Sequence, residues 1–381
     1  MSAKRYISAV TVILLLLSLL IVAFNRVVDP FWYYRDVSID GFNAIKPKFH
    51  NFERHVKPLL VQRIQPNSLI FGSSYAEIGF DPLHPALSST GKSYNFALAG
   101  AQWEMVSCDV LFALSEDSAL HQIVLGIHPQ AMPLKDCKAD IAKMEAPNRI
   151  AFLFSSDAFK SSISTVLEQN KQEETHTKEG LYLLNRGHSG TAGRFSEVFA
   201  KYFKPCKIDK VSSKMPSAHQ PNQANLDLKG LREIVHKAVE RGITLKLVVY
   251  PRHALTFEQE YQCGTRQARY DALAQIVSLV EAERSNLVEV WDFEVYHTIG
   301  TETISDAPSI YWQDNAHFNT EFGNLMLDEM FDMKQPKFGV RLTSLNLKTR
   351  EAKEINDRET YLREHPEFLQ QLESLLPQHA N

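Results

Sequence analysis

Five short apolar runs, each ending at a glycine, a proline or a polar turn, limit this chain more than any other feature. They are Leu69–Phe71, Ser93–Ala97, His121–Ile127, Ile243–Tyr250 and Leu287–Phe293. None has a helical period, and their lengths suit strands. Between them lie stretches with helical spacing: Trp103–Leu114, about Asp227–Arg241 stopped by Gly242, and Tyr270–Ala282. Strands alternating with helices predict βαβ units and a parallel sheet with right-handed crossovers. The carboxyl ends of all five strands then share one edge, where open α/β sheets place their ligands.

Ahead of the sheet, Lys4 and Arg5 precede an uncharged run from Ile7 to Phe24. A bilayer core takes about 20 apolar residues, so this run is long enough to cross it. No A-x-A-like cleavage site follows, which favours an uncleaved anchor over a signal peptide. The basic residues predict a cytoplasmic amino end for residues 1–6, although Arg26 weakens the asymmetry. Phe31-Trp32-Tyr33-Tyr34 suits a membrane–water interface and equally suits packing against the globular domain. Residues 25–66 read as a neck, with an amphipathic helix over Phe49–Ile64.

The formal charge of −4 argues against a dedicated nucleic-acid binder. Cys108, Cys137, Cys206 and Cys263 form no C-x-x-C pair, which argues against a zinc site. They allow two disulfides or buried free thiols. The polar span of about 132–225 is too long for a loop and reads as an insertion, a cap over the sheet edge. Residues 335–381 read as a charged helical tail.

The first strand ends in Gly72-Ser73-Ser74. Glycine permits a sharp turn, and a serine just past it stands at the sheet edge. On its own this is also an ordinary strand-to-helix turn with a serine N-cap. Gly100 follows the second strand. After the fifth comes Tyr311-Trp312-Gln313-Asp314-Asn315-Ala316-His317. A carboxylate three residues from an imidazole can fix its tautomer, and the imidazole can take a serine proton. The plainer reading makes Asp314 the cap of a helix starting near Asn319 and His317 a packing residue.

Taken together, these blocks resemble the SGNH/GDSL hydrolase superfamily. Gly72-Ser73-Ser74 is similar to its Gly-Asp-Ser block, with Ser74 in the place of the nucleophile and Ser73 where that block has Asp. Gly100 matches the glycine of the second block, an oxyanion-hole donor, and Asp314 and His317 match the last block. The resemblance spans roughly residues 67–330, within a domain drawn at 67–334. It implies a three-layer flavodoxin-like five-stranded parallel sheet, with the insertion and the amino-terminal transmembrane helix added. The third block, Gly-x-Asn-Asp, is missing, because strand three ends Gly126-Ile127-His128-Pro129. His128 and Asn95 are the alternatives for its donor.

An anchor followed by such a domain also resembles envelope acyl-transfer proteins, those of alginate O-acetylation and of teichoic-acid D-alanyl transfer. This resemblance implies a serine esterase or O-acyltransferase acting on an acyl ester of an envelope polysaccharide, outside the cytoplasmic or inner membrane. The catalytic set would be Ser74, His317 and Asp314, with the Ser74 and Gly100 N–H groups as oxyanion hole. No metal or redox cofactor is required, and a multi-spanning acyl-donor partner is compatible with it. The competing expectation is a catalytically weak binding or scaffold component of a polysaccharide assembly complex.

Other residues have chemistry to offer. Arg252 and His253 follow strand four and are candidates for an anionic or sugar substrate. Arg186 and His188 lie in a glycine-rich turn of the insertion. Glu77 and Asp81 stand near Ser74, where helix-start charge explains them. Trp103 and Trp312 adjoin the motifs, as sugar-stacking walls or as core.

Overall fold

A computed structural model describes residues 2–116, 118–129, 131–145, 153–169, 171, 173–183, 191–202, 225–305, 307–333 and 337–375. The chain divides into two compact units. One comprises Met1–Ile64 and Lys138–Asn185, the other Gln65–Cys137 and Arg186–Asn381. The insertion over 132–225 is therefore shared between them.

The first unit is built on the helix Ala3–Val28, which is long and apolar enough to cross a membrane. Its first buried residue is Asn25. The helix ends at Asp29, whose φ of 47° lies in the left-handed region. Asp29 then organises the next turn, its carboxylate accepting the N–H groups of Tyr33, Tyr34 and Arg35. The last carbonyls of a helix lack intrahelical partners. Here the Lys46 ammonium donates to the Val28 carbonyl at 2.8 Å, and the Asn43 amide donates to those of Val27 and Val28. Burial pushes the Lys46 pKa down to about 8. The aromatic run packs inward: Phe31 lies against Phe52 and Trp32 against Phe49 of the helix Phe49–Ile64. Phe31, Trp32 and Tyr33 are buried. The run is part of a core rather than a membrane belt, because the turn at Asp29 folds it back under the helix end.

The second unit holds the sheet. Its strands are β1 (Ser68–Phe71), β2 (Ser93–Asn95), β3 (Gln122–Ile127), β6 (Thr244–Val249), β7 (Val288–Asp292) and β8 (Val340–Leu342). They lie side by side in the order β2-β1-β3-β6-β7-β8. The first five are parallel, with Ile70 opposite Asn95, Leu69 opposite Ile123, and Leu247 opposite Val290. A two-residue parallel pair, β4 (Ala131–Met132) and β5 (Asn225–Leu226), joins the two ends of the inserted span.

The expected five-stranded sheet is thus six-stranded, and the carboxyl-terminal tail is not wholly helical. β8 pairs antiparallel with β7, and Arg341 meets Glu289 at 3.1 Å. Three residues are too few to show a period of two, and the edge is formed by pairing rather than by pattern.

β1 and β3 are buried at every position, as strands covered on both faces must be. On one face the helix Trp103–Glu116 packs with Lys229–Glu240, and Phe71, Phe96 and Phe112 meet in the core. On the other, Ile70, Val124 and Val248 share a cluster with Phe80, Phe318, Phe322 and Met326. There the short helix Ser74–Gly79 packs against Thr320–Met330. A side chain at Gly323 would sit 1.7 Å from the Gly79 carbonyl oxygen, so glycine is required for this close approach. The contact joins the segment after β1 to the segment that carries His317.

Cys108 and Cys137 form a disulfide, and Cys263 is disulfide-bonded as well. Cys206 lies outside the described residues.

Candidate active site

Gly72 ends β1 with a φ of 148°, and an added Cβ would lie 2.0 Å from the Tyr250 hydroxyl. The absent side chain lets Tyr250 reach the turn, where its oxygen accepts the Ser73 N–H at 2.9 Å. Ser73 stands at the N-cap of Ser74–Gly79, but its hydroxyl makes no capping bond. Ser74 opens the helix, half-buried, with its side chain directed elsewhere.

Ser74 Oγ lies 2.8 Å from His317 Nε2. His317 Nδ1 lies 2.9 Å from each carboxylate oxygen of Asp314. The segment holding these two is a tight turn closed by the bridge between Trp312 and Phe318. Asp314 Oδ1 also accepts the N–H groups of Ala316 and His317, a local aspartate turn that fixes the carboxylate beneath the imidazole. The helix that follows is capped by Asn319, whose side chain accepts from Glu321 and Phe322. The plainer reading of Asp314 as that cap does not hold. Burial of Asp314 would raise its pKa. The hydrogen bond and charge of His317, then the two backbone N–H groups, outweigh this and hold it at about 2. An ionised Asp314 places the His317 proton on Nδ1 and leaves Nε2 as acceptor for the serine hydroxyl.

A pocket opens beside Ser74. Its walls include Gly100, Gln102, Trp103, His128 and Tyr250. Gly100 has a φ of 68°, and among the described residues neither its N–H nor that of Ser74 has an acceptor. Free backbone N–H groups on one pocket wall can donate to an anionic oxygen.

Tyr75 is the hub of the aromatic wall. Its ring centroid lies 4.7 Å from His317, 4.8 Å from Tyr250 and 4.9 Å from His128. His128 is an exposed residue of the pocket wall, its ring set against those of Tyr75 and Tyr250. Partial desolvation by these neighbours, then the charges of Arg252 and His317, lower its pKa. Burial raises the Tyr250 phenol to about 12. Tyr250 is the residue the sequence reading passed over. Its signal was a phenol at the last position of a buried strand, directly before Pro251.

The other sequence candidates disperse. Asn95 is buried and committed, its amide donating to the carbonyls of Ala76 and Phe80 and its oxygen accepting from Ala97. It is excluded as an oxyanion donor. Arg252 and His253 are not open to substrate. The Arg252 guanidinium is held by Glu260 at 2.6 Å and Glu294 at 2.5 Å. His253 is buried, caps the helix Ala254–Gln262 and donates from Nε2 to the Glu302 carbonyl. Burial lowers its pKa to about 4. Both residues follow β6, but Arg252 joins an ion-pair cluster and His253 packs between Phe195 and Trp312, so neither lines the pocket. Trp103 lines the pocket, whereas Trp312 is core and donates to the Ile299 carbonyl. Glu77 is fully buried, and Asp81 accepts the Leu83 N–H. Arg186 and His188 lie outside the described residues. Arg194, from the helix Thr191–Tyr202, donates to Gln313 next to Asp314.

In the first unit, His50, Glu53 and His176 bring potential metal-ligand atoms within 4.8 Å of one another. The buried Lys57 ammonium lies 3.5 Å from Glu53. The two imidazoles stack at 5.6 Å, with 24° between their planes. His50 Nδ1 lies 3.5 Å and His176 Nε2 3.3 Å from the Glu53 carboxylate, so both imidazoles and the Lys57 ammonium gather on one buried acid.

No protein-family model matches the chain, and no curated protein matches it.

Proposed function

We propose that this chain is a membrane-anchored serine esterase or O-acyltransferase of SGNH type, acting on an acyl ester of an envelope polysaccharide or a related polymer. The observation that carries the reading is the relay Ser74 Oγ to His317 Nε2 at 2.8 Å, continued from His317 Nδ1 to Asp314 at 2.9 Å. Three further features support it. The five parallel strands follow a flavodoxin-like order, and the relay sits beyond β1 where that order reverses. Two unpaired N–H groups border the pocket. The Cys108–Cys137 disulfide suits an oxidising compartment, and with the apolar helix it favours a single-pass protein whose domain faces the periplasm or exterior.

In this mechanism Ser74 Oγ attacks the acyl carbon while its proton passes to His317 Nε2. The Ser74 and Gly100 N–H groups hold the oxyanion, and Asp314 stabilises the imidazolium. Collapse breaks the bond to the leaving alcohol, which takes the proton from Nε2, and leaves acyl-Ser74. Water or a sugar hydroxyl then gives its proton to Nε2 and attacks the acyl carbon, and Ser74 recovers its proton as the product leaves. Hydrolysis and transfer differ only in that last acceptor. With Asn95 committed elsewhere, His128 is the group we assign as third donor. It lines the pocket, and its lowered pKa keeps it neutral near pH 7, with one ring N–H to donate.

A second reading, a catalytically weak binding or scaffold component, is favoured by one observation: the residues after β3 lack the asparagine and aspartate of the family's third block. The two readings separate in one experiment. The full chain in detergent is given an activated acetyl ester and a serine-directed fluorophosphonate. The enzyme reading expects turnover and covalent labelling that both vanish in Ser74→Ala. Labelling that persists in Ser74→Ala, or a wild type inert to both reagents, would reject it.

A further inference from the structure

The helix Ser156–Glu168 in the first unit is inverted. Its buried residues are Ala158, Ser161, Ser162 and Thr165, small or polar. Its large apolar residues point outward: Ile163 is 39% exposed, Leu167 64% and the preceding Phe154 51%, with Phe159 half-buried. A helix on a water-facing surface has the opposite arrangement. Large apolar side chains spaced along one helix face are left outside only where something apolar covers them.

Its position says what covers it. The uncharged run Ile7–Phe24 rises about 27 Å as a helix, close to the roughly 30 Å of a bilayer core. Phe24 therefore stands at one boundary of that core, and Arg26 just outside it. The Phe24 ring lies 6.1 Å from that of Phe159, and the Asn25 amide donates to the Leu153 carbonyl at 2.7 Å. The far end is tied to the same level. Gln169 exchanges two hydrogen bonds with the backbone of Ile45, and the adjacent Lys46 donates to the Val28 carbonyl. The helix thus lies across the exit of the anchor, held there at both ends, instead of leading away from it. Lys160, exposed among the apolar residues, can extend its ammonium to lipid headgroups.

We infer that Ser156–Glu168 is an interfacial helix whose Phe154, Phe159, Ile163 and Leu167 face is seated in the bilayer surface beside the anchor, so that the first unit rests on lipid. Contact with the anchor makes this face continuous with the lipid-covered surface of Ala3–Val28. The belt that the sequence suggested at Phe31–Tyr34 is supplied instead by a segment more than a hundred residues away.

The test uses the full chain in lipid nanodiscs, with Ile163→Trp and Leu167→Trp variants. Both positions are exposed, so the replacements do not disturb the core. The expected result is that the added emission is blue-shifted, and is lost when the acyl chains are brominated near the headgroup. Emission at the wavelength of water-exposed indole, unchanged by bromination, overturns the inference. Blue-shifted emission that bromination does not quench also overturns it and assigns the face to protein. Comparing discs holding one chain and two then shows whether that protein is a second copy.

Discussion

Asp314→Asn tests the site where its geometry is tightest. Asp314 is fully buried and accepts from His317 Nδ1 and from two backbone N–H groups. Asparagine keeps one carbonyl oxygen for the backbone groups, so the turn should survive. What changes is the tautomer. An amide NH2 facing Nδ1 moves the imidazole proton to Nε2, which then donates to Ser74 Oγ and cannot accept its proton. Loss of the carboxylate in such a triad lowers kcat by about 10⁴. At 1.36 kcal/mol per tenfold, that is about 5.4 kcal/mol of barrier. The assay is kcat on an activated acetyl ester, with fluorophosphonate labelling rate measured in parallel, since both need the serine proton removed. A loss under about tenfold, in a variant that unfolds at the wild-type temperature, would refute the triad. Stability supplies an independent readout. The folded-state pKa of Asp314 is depressed from 3.8 to about 2. Its contribution is therefore complete above about pH 4 and is lost as pH falls toward 2, roughly 2 kcal/mol in all. Asp314→Asn should remove that part of the acid sensitivity.

Three other outcomes follow from the geometry. His128→Ala should lower kcat by about 10²-fold with KM nearly unchanged, and His128→Asn should recover part of the loss; equal rates in all three proteins would remove His128 from the oxyanion hole. Glu294→Gln should destabilise the second unit by roughly 3–5 kcal/mol in urea unfolding, because the buried carboxylate faces Arg252, Arg266 and Arg269 together; a change below about 1 kcal/mol would mean the arginines find other partners. Replacing Cys108 and Cys137 by serine frees a loop with a sequence separation of 29 residues, for an expected loss of about 3–4 kcal/mol; urea unfolding of the variant and the wild type, both without reductant, should show this difference, and an unaltered midpoint would reject the cross-link.

The strands of the parallel sheet were legible because both faces are covered, which leaves continuous apolar runs that need no partner to be recognised. The relay was legible for a related reason. Parallel strands deliver every carboxyl end to one edge, so Ser74 and His317, far apart in the chain, could be assigned to one place. The local turn around Asp314 was written in three residues. What failed was contact-dependent. Arg252 and His253 also follow a strand, yet Glu260, Glu294 and the Glu302 carbonyl draw them into the interior. Asn95 stands at the end of β2 but turns to satisfy the carbonyls of the Ser74 helix. The polarity of a side chain does not say which polar atom will be nearest.

The sequence by itself determined the apolar helix, the parallel sheet and the three residues of the relay, because each follows from local pattern and chain order. Only the tertiary structure decided the antiparallel β8, the seating of Tyr250 against Gly72, the withdrawal of Arg252 and the inverted face of Ser156–Glu168. Each of these depends on which distant atoms satisfy a hydrogen bond, neutralise a charge or cover an apolar surface, and that matching exists only once the chain has closed on itself.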